Sequence, residues 1–360
     1  MTDQNLPTPD FSYTEPLSCI AGLRPYREGA YRLESETRSG KFIVHNYGHG
    51  GAGITLSWGC ASKVRDIVRN HLASSNDRTV AVLGSGVMGL TAATLLADLG
   101  VTVTIYAKEF WNDTTSRKAG GQWAASIVEF GNKRTEFKEI LETSYQTFKS
   151  SIPNGFGVSE RPNYTKTPSH NLDIVLKLSP NLIPAPQKLA RMPFENHTYS
   201  GFKYQTLLIE PPIFLPKLDV NLRARNVQFI PRTFSDATDV LTNVQEKIIV
   251  NCTGLGSKTI WNDAALKPKK GQLALLRPQS QLQYLYGQDG YMFPRADAVV
   301  IGGSYEDTFT SADPDPAYCK LLVDYMKGLF GKGPRIPIPD WHIHHPDNLP
   351  RIAPRAAPDV

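Results

Sequence analysis

The sequence contains 360 residues, 41% of them hydrophobic and 20% charged, and its formal net charge is +5. This composition excludes intrinsic disorder, and a mild positive charge without a basic cluster predicts no nucleic-acid partner. No apolar run approaches the roughly 20 residues of a membrane helix, and residues 1–7 lack a signal-peptide pattern. Four cysteines far apart in the sequence favour a reducing compartment over a disulfide framework. We therefore expect a cytoplasmic protein with no membrane partner.

The first clearly predicted unit in chain order combines two strands, a glycine turn and a helix. A β-branched run at 79–83 leads into a glycine turn at 84–89, a helix at 90–99 and a strand at 101–106. Further along, the pattern predicts helices at 135–150 and 316–330 and strands at 204–209, 247–251 and 298–301. The proline-rich residues 334–360 are expected to be extended. These elements indicate the α/β class with a Rossmann-like unit.

The turn at 84–89 has the Gly-x-Gly-x-x-Gly pattern of dinucleotide-binding units. Gly84 permits the tight turn, Gly86 lets the backbone approach a pyrophosphate, and Gly89 allows close packing of helix on strand. Backbone N–H groups at Val87 and Met88, where the turn meets the helix, can serve phosphate oxygens. A tight turn without a ligand is the alternative interpretation.

The second strand of this unit ends without the acidic residue that usually binds the adenosine ribose. Lys108 comes first and Glu109 follows it. Glu109 can take the ribose role from one position further along, whereas Lys108 on a 2′-phosphate would indicate NADP. The residues alone leave both interpretations open.

Five segments of the sequence resemble segments of the D-amino-acid oxidase family. They are residues 22–25 with 32–34, residues 44–61, residues 105–107 with 114–123, residues 250–254 with 270–272, and residues 291–294 with 301–305. The resemblance implies a flavoprotein with a Rossmann-like, doubly wound FAD-binding domain and a sheet-rich α+β substrate domain.

The order of these segments differs from the order in the family. Family members begin with the glycine-turn strand and end with His-Asn-Tyr-Gly-His-Gly-Gly, which here occupies 45–51, ahead of that strand. The resemblance therefore implies a circular permutation, with the family ends joined near 73–78 and residues 1–15 beside the proline-rich tail. The expected units are an FAD-binding domain (40–128 with 207–266), a substrate domain (1–39 with 129–206 and 267–333) and a tail (334–360).

The resemblance also implies roles for individual residues. Arg24 is expected to bind the substrate carboxylate through its planar guanidinium, Tyr291 to donate a second hydrogen bond to it, and the Gly51 carbonyl to hold the substrate amine. Tyr286 and Gln122 are expected to line the substrate pocket. The expected FAD-binding residues are Gly50, Gly51, Ala52, Gly53, Ile54, Thr55, Gly84, Gly86, Val87, Met88, Gly89, Lys108, Glu109, Thr114, Thr115, Gly120, Gly121, Gln122, Phe234, Cys252, Thr253 and Gly254.

The activity implied by the resemblance is oxidative deamination of a D-amino acid by hydride transfer from Cα to flavin N5. The partners would be a small amino acid or amine and dioxygen, the products a 2-oxo acid, ammonia and hydrogen peroxide, and a homodimer is left open. Gln122 and the short interval before Tyr291 keep open a related oxidase or dehydrogenase acting on a secondary amine or biosynthetic intermediate. A flavin-binding protein without catalysis is a further alternative. No metal is expected, and His342, His344 and His345 are expected to be solvated.

Overall fold

The computed structural model of the chain describes residues 5–287, 290–307 and 310–337, which form two β-sheets with helices packed against them. The strands are β1 (Ser18–Arg27), β2 (Arg32–Arg38), β3 (Lys41–Tyr47), β4 (Thr79–Leu83), β5 (Thr102–Ala107), β6 (Val158–Thr165), β7 (Gln187–Leu189), β8 (Gly201–Ile209), β9 (Gln228–Pro231), β10 (Ile248–Asn251), β11 (Leu266–Leu276), β12 (Leu285–Gly287), β13 (Tyr291–Pro294) and β14 (Val299–Gly302). The helices are α1 (Gly53–Leu72), α2 (Val87–Ala97), α3 (Arg134–Ser150), α4 (His170–Leu178), α5 (Pro211–Ala224), α6 (Ala237–Asn243), α7 (Ser257–Ile260) and α8 (Pro316–Leu329).

The first sheet has six strands in the order β2-β3-β10-β4-β5-β9. All neighbouring pairs are parallel except β2 with β3, which form an antiparallel hairpin. Residues 80–83 of β4 are buried, as expected for an apolar β-branched strand between two parallel neighbours. The prediction of a central parallel strand at 79–83 is therefore confirmed.

Three helices pack beside this sheet and bring the first part of the chain against β4. α1 contacts both α2 and α3 extensively. A Cβ atom on Gly59 would lie 2.1 Å from the carbonyl oxygen of Ile140, so only glycine allows α1 and α3 to approach this closely. Residues 53–72 are thus part of the same core as the strand–turn–helix unit at 79–97.

The second sheet has eight strands in the order β1-β11-β14-β13-β12-β6-β8-β7. Neighbours are antiparallel except β12 with β6. Side chains alternate between the faces of a strand, so this sheet has two distinct apolar faces. One face carries Leu273, Leu285 and Phe293. The other carries Tyr286 and Met292, which belong to the same apolar cluster as the buried residues of α8.

Most elements predicted from the sequence occur at or near their expected positions. α2 begins at Val87, three residues before the predicted start, because Gly86 is its N-cap. The expected domain boundary between residues 39 and 40 does not match the sheets. β2 pairs along its whole length with β3 and so belongs to the six-stranded sheet. The segment at 334–337 forms no helix or strand, and the histidines at 342, 344 and 345 lie outside the described residues.

The beginning and the end of the described chain meet on the eight-stranded sheet. The rings of Phe11 and Phe330 lie 5.8 Å apart between centroids, and the Leu6 N–H donates to the Pro193 carbonyl at 2.7 Å. None of the helices in the described ranges is both long and apolar enough to cross a membrane. The same ranges contain no group of three His, Cys, Asp or Glu side chains arranged to hold a metal ion.

Candidate active site

A cavity of about 1270 Å³ opens at the carboxyl ends of the central strands of the six-stranded sheet and reaches the eight-stranded sheet. The glycine turn after β4 forms one part of its wall, where Gly84, Gly86, Val87 and Met88 line it. Gly84 has a φ of +101°, and a Cβ there would lie 2.6 Å from the Cys252 carbonyl oxygen. Open α/β sheets bind ligands in this position, outside the carboxyl ends of their strands.

Two expected cofactor residues lie behind this wall and do not face the cavity. A Cβ on Gly89 would lie 1.9 Å from the Gly84 carbonyl oxygen, so Gly89 allows α2 to pack on the turn, as its motif position predicts. Ala52, the N-cap residue of α1, is fully buried. Neither is among the residues that line the cavity.

The amino-terminal ends of α1 and α2 lie side by side at the cavity. A Cβ on Gly53, the first residue of α1, would have Val87 Cγ1 of α2 as its nearest neighbour, at 3.9 Å. Helix amino-terminal ends carry free N–H groups and partial positive charge, which suits a pyrophosphate. Gly53 and Gly86 keep the space before both helices open, so this part of the site fits the diphosphate of a dinucleotide.

Two further walls of the cavity are glycine-rich, one at 50–55 and one at 120–122, and a reciprocal pair of hydrogen bonds joins their segments. Thr55 Oγ1 donates to the Ala124 carbonyl at 2.9 Å and accepts from the Ala124 N–H at 3.1 Å. The residues of the two segments that line the cavity are Gly50, Gly51, Gly53, Ile54, Thr55, Gly120, Gly121 and Gln122. Nearby His49 is buried, which lowers its pKa to about 3 and keeps the imidazole neutral.

The remaining expected cofactor residues also line the cavity: Lys108, Glu109, Thr114, Thr115, Phe234, Cys252, Thr253 and Gly254. Lys108 Nζ and Glu109 Oε1 form an exposed ion pair of 3.6 Å. Burial raises the pKa of the Cys252 thiol to about 12, so it is a neutral thiol rather than a thiolate. Ser116, which the sequence analysis did not single out, accepts a 3.0 Å hydrogen bond from the Val87 N–H, so of the two N–H groups expected to serve a phosphate this one already has a partner in the protein.

Arg24 and Tyr291 lie next to each other where the eight-stranded sheet meets the cavity. Nη1 of Arg24 donates to the carbonyls of Lys270 and Ser304, each at 3.1 Å. Burial raises the pKa of Tyr291, although the adjacent Arg24 acts in the opposite direction, so the side chain remains a phenol that can donate. Within the described part of the chain, no carboxylate neutralises the Arg24 charge.

The expectation that Tyr286 lines the substrate pocket is wrong. Tyr286 follows Leu285 and precedes Gly287 on β12, so strand alternation turns it to the opposite face of the sheet. There it is fully buried, and its hydroxyl lies 3.2 Å from that of Tyr199. Asn163 and Thr165 on β6 line the cavity instead, and no sequence motif marks them.

The parallel sheet, the glycine turn and the two helix ends define a dinucleotide-binding protein of the doubly wound α/β class. The chain belongs to the FAD-dependent oxidoreductase family DAO, whose profile matches residues 79–360. It is therefore an FAD-dependent oxidoreductase. Its cofactor is FAD and not NADP, the alternative that Lys108 suggested in the sequence.

Several known proteins are similar to this chain. A D-amino-acid oxidase from Streptomyces coelicolor is 26% identical over 270 residues, which is 71% of this chain and 79% of that protein. A D-aspartate oxidase from Homo sapiens is 26% identical over 252 residues, 66% of this chain and 71% of that protein. The structure of an L-amino acid deaminase from Proteus vulgaris, lacking its specific insertion sequence, superposes with a TM-score of 0.51 at 12% identity, covering 70% of this chain and 74% of that one. That likeness supports the fold alone.

Proposed function

We propose that the protein converts a D-amino acid, dioxygen and water into the corresponding 2-oxo acid, ammonia and hydrogen peroxide. One observation carries the proposal: Arg24, a cation without a carboxylate partner in the described residues, stands beside the phenol of Tyr291 in the cavity that holds the two glycine-rich walls. A guanidinium next to a neutral hydrogen-bond donor is suited to binding a carboxylate. The similar proteins named as oxidases of D-amino acids and D-aspartate support the same substrate class.

In the proposed site, the glycine turn and the ends of α1 and α2 would hold the FAD diphosphate, and the walls at 50–55 and 120–122 would hold its ring system. Bound FAD supplies the two-electron acceptor for the hydrogen on the substrate Cα. Arg24 would offer parallel N–H donors to the carboxylate oxygens, while Tyr291 donates one more hydrogen bond to them. The Gly51 carbonyl would accept from the substrate amine. Fixing both groups orients Cα, and such positioning can lower a barrier by several kcal/mol.

Peroxide release tests the proposal directly. The purified flavin-loaded protein is incubated with matched D- and L-amino acids, and hydrogen peroxide, ammonia and 2-oxo acid are measured. We expect the three products in equal amounts with D-enantiomers only. Flavin-loaded protein that releases no peroxide with any D-amino acid would overturn the proposal. Turnover of a secondary amine, or flavin reduction without oxygen consumption, would favour the related amine oxidase or dehydrogenase.

We also infer that the chain order is a circular permutation of the family order. The family profile begins at residue 79, the first residue of β4. Residues 41–72 nevertheless add a parallel strand and a helix to the same unit, and residues 5–17 lie beside α8. The segment at 73–78 would be the join between the family ends. The two domains, a cytoplasmic location and a homodimer remain further parts of the proposal.

A further inference from the structure

The Arg24 side chain is held where the pairing of β11 with its neighbour becomes irregular. β11 and β14 pair regularly as far as Leu273 with Gly302. The next bridge joins Lys270 to Glu306. β11 therefore advances three residues where the chain after β14 advances four, and one extra residue on one side of an antiparallel pair is a β-bulge.

The bulge, residues 303–305, turns a backbone carbonyl towards Arg24. Gly303 has a φ of +134°, and a Cβ there would lie 2.6 Å from Cα of Gly290, so the chain leaves β14 in this direction only with glycine. The next carbonyl, that of Ser304, accepts from Nη1 of Arg24 at 3.1 Å. A regular ladder pairs strand carbonyls with backbone N–H groups, whereas the bulge presents this one to a side chain.

Gln272 holds the bulge from the face of β11 opposite the cavity. Its neighbours Gly271 and Leu273 line the cavity and Gln272 does not, as strand alternation requires. The Gln272 backbone N–H donates to Oγ of Ser304, so this hydroxyl takes the place of the backbone carbonyl that a regular ladder would supply. Gln272 is 2% exposed and Ser304 is 1% exposed. Removing the hydroxyl would therefore leave a buried N–H group unpaired, which is costly unless the bulge moves.

The side chain of Gln272 bonds to two further points of the segment that follows β14. Its Nε2 donates to Oε1 of Glu306 at 2.9 Å, and its Oε1 accepts from the N–H of Asp315, the N-cap residue of α8, at 2.5 Å. Glu306 is also bound to Lys270 by two backbone hydrogen bonds of 2.9 and 3.1 Å. The bulge is thus fixed before it by β14 and after it by Glu306.

We propose that Gln272 and Ser304 are positioning residues, which set the direction of Arg24 and thereby the affinity of the site for a substrate carboxylate. This inference rests on the proposed function, in which Arg24 binds that carboxylate. Nη1 of Arg24 carries two N–H groups and has two carbonyl acceptors, which leaves the edge with Nη2 and Nε for a ligand. Because a guanidinium pairs with both carboxylate oxygens only in its own plane, a shift of the Ser304 carbonyl would turn this edge away from the substrate.

Ligand binding without turnover tests the inference. Pentanoate and pentanamide have the same shape, but only pentanoate is an anion. Flavin-loaded parent, Ser304→Ala and Gln272→Met proteins are titrated with both compounds in a calorimeter. Each variant should bind pentanoate about five- to tenfold more weakly than the parent and pentanamide with unchanged affinity. An unchanged Kd for pentanoate in both variants, or an equal loss with pentanamide, would overturn the inference.

The two variants differ in what they remove, so that one remains informative if the other does not fold. Ser304→Ala removes the acceptor of the Gln272 N–H, whereas Gln272→Met keeps this bond and removes those to Glu306 and Asp315. In the Arg24→Leu background, neither change should weaken pentanoate binding further, and additive losses would contradict a role exerted through Arg24.

Ser179→Ala is the matched control for the loss of a buried hydroxyl. Ser179 is 6% exposed, its hydroxyl donates to Glu142 at 2.6 Å, and it does not line the cavity. This variant should have a lower thermal midpoint and an unchanged Kd for pentanoate. Variants at Gln272 and Ser304 that lose only stability, as Ser179→Ala does, would show a structural role and refute the inference.

The outcomes separate this inference from the proposed function. Peroxide from D-amino acids together with unchanged Kd values in the variants would refute the inference alone. Weakened pentanoate binding in the variants without peroxide from any D-amino acid would refute the proposed function and leave the positioning role intact. A parent protein that binds pentanoate no more tightly than pentanamide would refute both.

Discussion

The guanidinium of Arg24 occupies the place that a side chain on Gly271 would take. A Cβ on Gly271 would lie 2.2 Å from Nη2 of Arg24 and within 2.5 Å of two further guanidinium atoms. Gly271 pairs with Gly22 on β1, two residues before Arg24, so the strand register brings the bare glycine under the cation. The position and direction of Arg24 thus depend on a glycine 247 residues away in the sequence.

Replacing Arg24 with leucine should remove most of the activity while the flavin stays bound. Losing a charge-assisted hydrogen-bonded partner costs about 2–5 kcal/mol, so kcat/KM for a D-amino acid should fall roughly 30- to several-thousand-fold. Arg24→Lys should restore only part, since an ammonium lacks the planar fork. Steady-state kinetics and flavin content are measured on each variant, with Arg38→Leu on exposed β2 as the control. Unchanged kinetics in the Arg24→Leu variant would show that Arg24 has only a structural role.

Gly271→Ala should act on the site through Arg24 rather than through stability. The new methyl group meets the flexible end of a side chain, so the guanidinium moves and the sheet does not. We expect a rise in KM of about tenfold or more and a thermal midpoint within a few degrees of the parent, because one displaced side chain costs little folding energy. In the double variant with Arg24→Leu, the alanine should have no additional effect on KM. Independent, additive losses would show that Gly271 acts by another route.

A side chain at Gly86 should weaken flavin binding. Gly86 lines the cavity at the start of α2, and its Cβ would meet only Ser116 Oγ, at 3.2 Å. Gly86→Val therefore fills ligand space with little conflict inside the protein, and the purified variant should lose most of its yellow colour. The control is Gly100→Ala, which strains a residue with a φ of +74° but has no atom within 4 Å of its Cβ. That variant should be less stable and fully yellow, so loss of flavin in both would point to general unfolding.

The stability of the protein should fall in mild acid because of His197. This imidazole is fully buried among Phe194, Tyr199, Tyr286 and Phe330, and neither ring nitrogen has a partner among the described residues. Burial lowers its pKa from 6.5 to about 4. Below pH 6.5 the imidazole of His197 is protonated in the unfolded chain, whereas in the folded chain it stays neutral down to about pH 4. The free energy of unfolding therefore declines as pH falls through this window.

The variant His197→Phe should remove this loss. It should gain about 2 kcal/mol of unfolding free energy over the parent at pH 5, beyond any difference at pH 7. Urea unfolding at both pH values measures the change, with His71→Gln as the control for losing one histidine. A pH-independent difference between His197→Phe and the parent would show that the imidazole does not titrate in this window.

A chain rearranged to the family order should fold and bind flavin. It would begin at residue 79 and carry residues 5–78 after residue 337, joined by a flexible linker of ten residues that spans about 18 Å. The contact between Phe11 and Phe330 places the joined parts near each other. A rearrangement that begins at residue 81, inside β4, is the control and should not fold. Failure of both chains to bind flavin would contradict the permutation.

The parts of the site that are local in sequence were predictable. Gly84, Gly86 and Gly89 act within one turn, so their spacing is enough to predict a strand, a turn and a helix, all of which are present. Arg24 has no such local signal, and only the resemblance of its segment to a known family indicated it. Its neighbours depend on the pairing of β1 with β11, which residue patterns do not reveal.

Asn163 and Tyr286 show what the sequence could not provide. Both lie in short stretches with mixed apolar and polar residues, where the facing side of a strand depends on a register of one residue. Tyr286 turned to the buried face, and Asn163 to the cavity. Knowledge of the parallel pairing of β12 with β6 would have been needed to place Tyr286 on the buried face and Asn163 at the cavity.

The pairing of β1 with β11 has a consequence for synthesis of the chain. Arg24 leaves the ribosome early, but its strand has no partner until residues 266–275 have followed. The strands of the six-stranded sheet, all within residues 32–251, can assemble before that point. An incomplete chain could therefore hold a flavin before it can hold an amino acid. Chain termination before residue 266 would then yield a yellow protein that makes no peroxide.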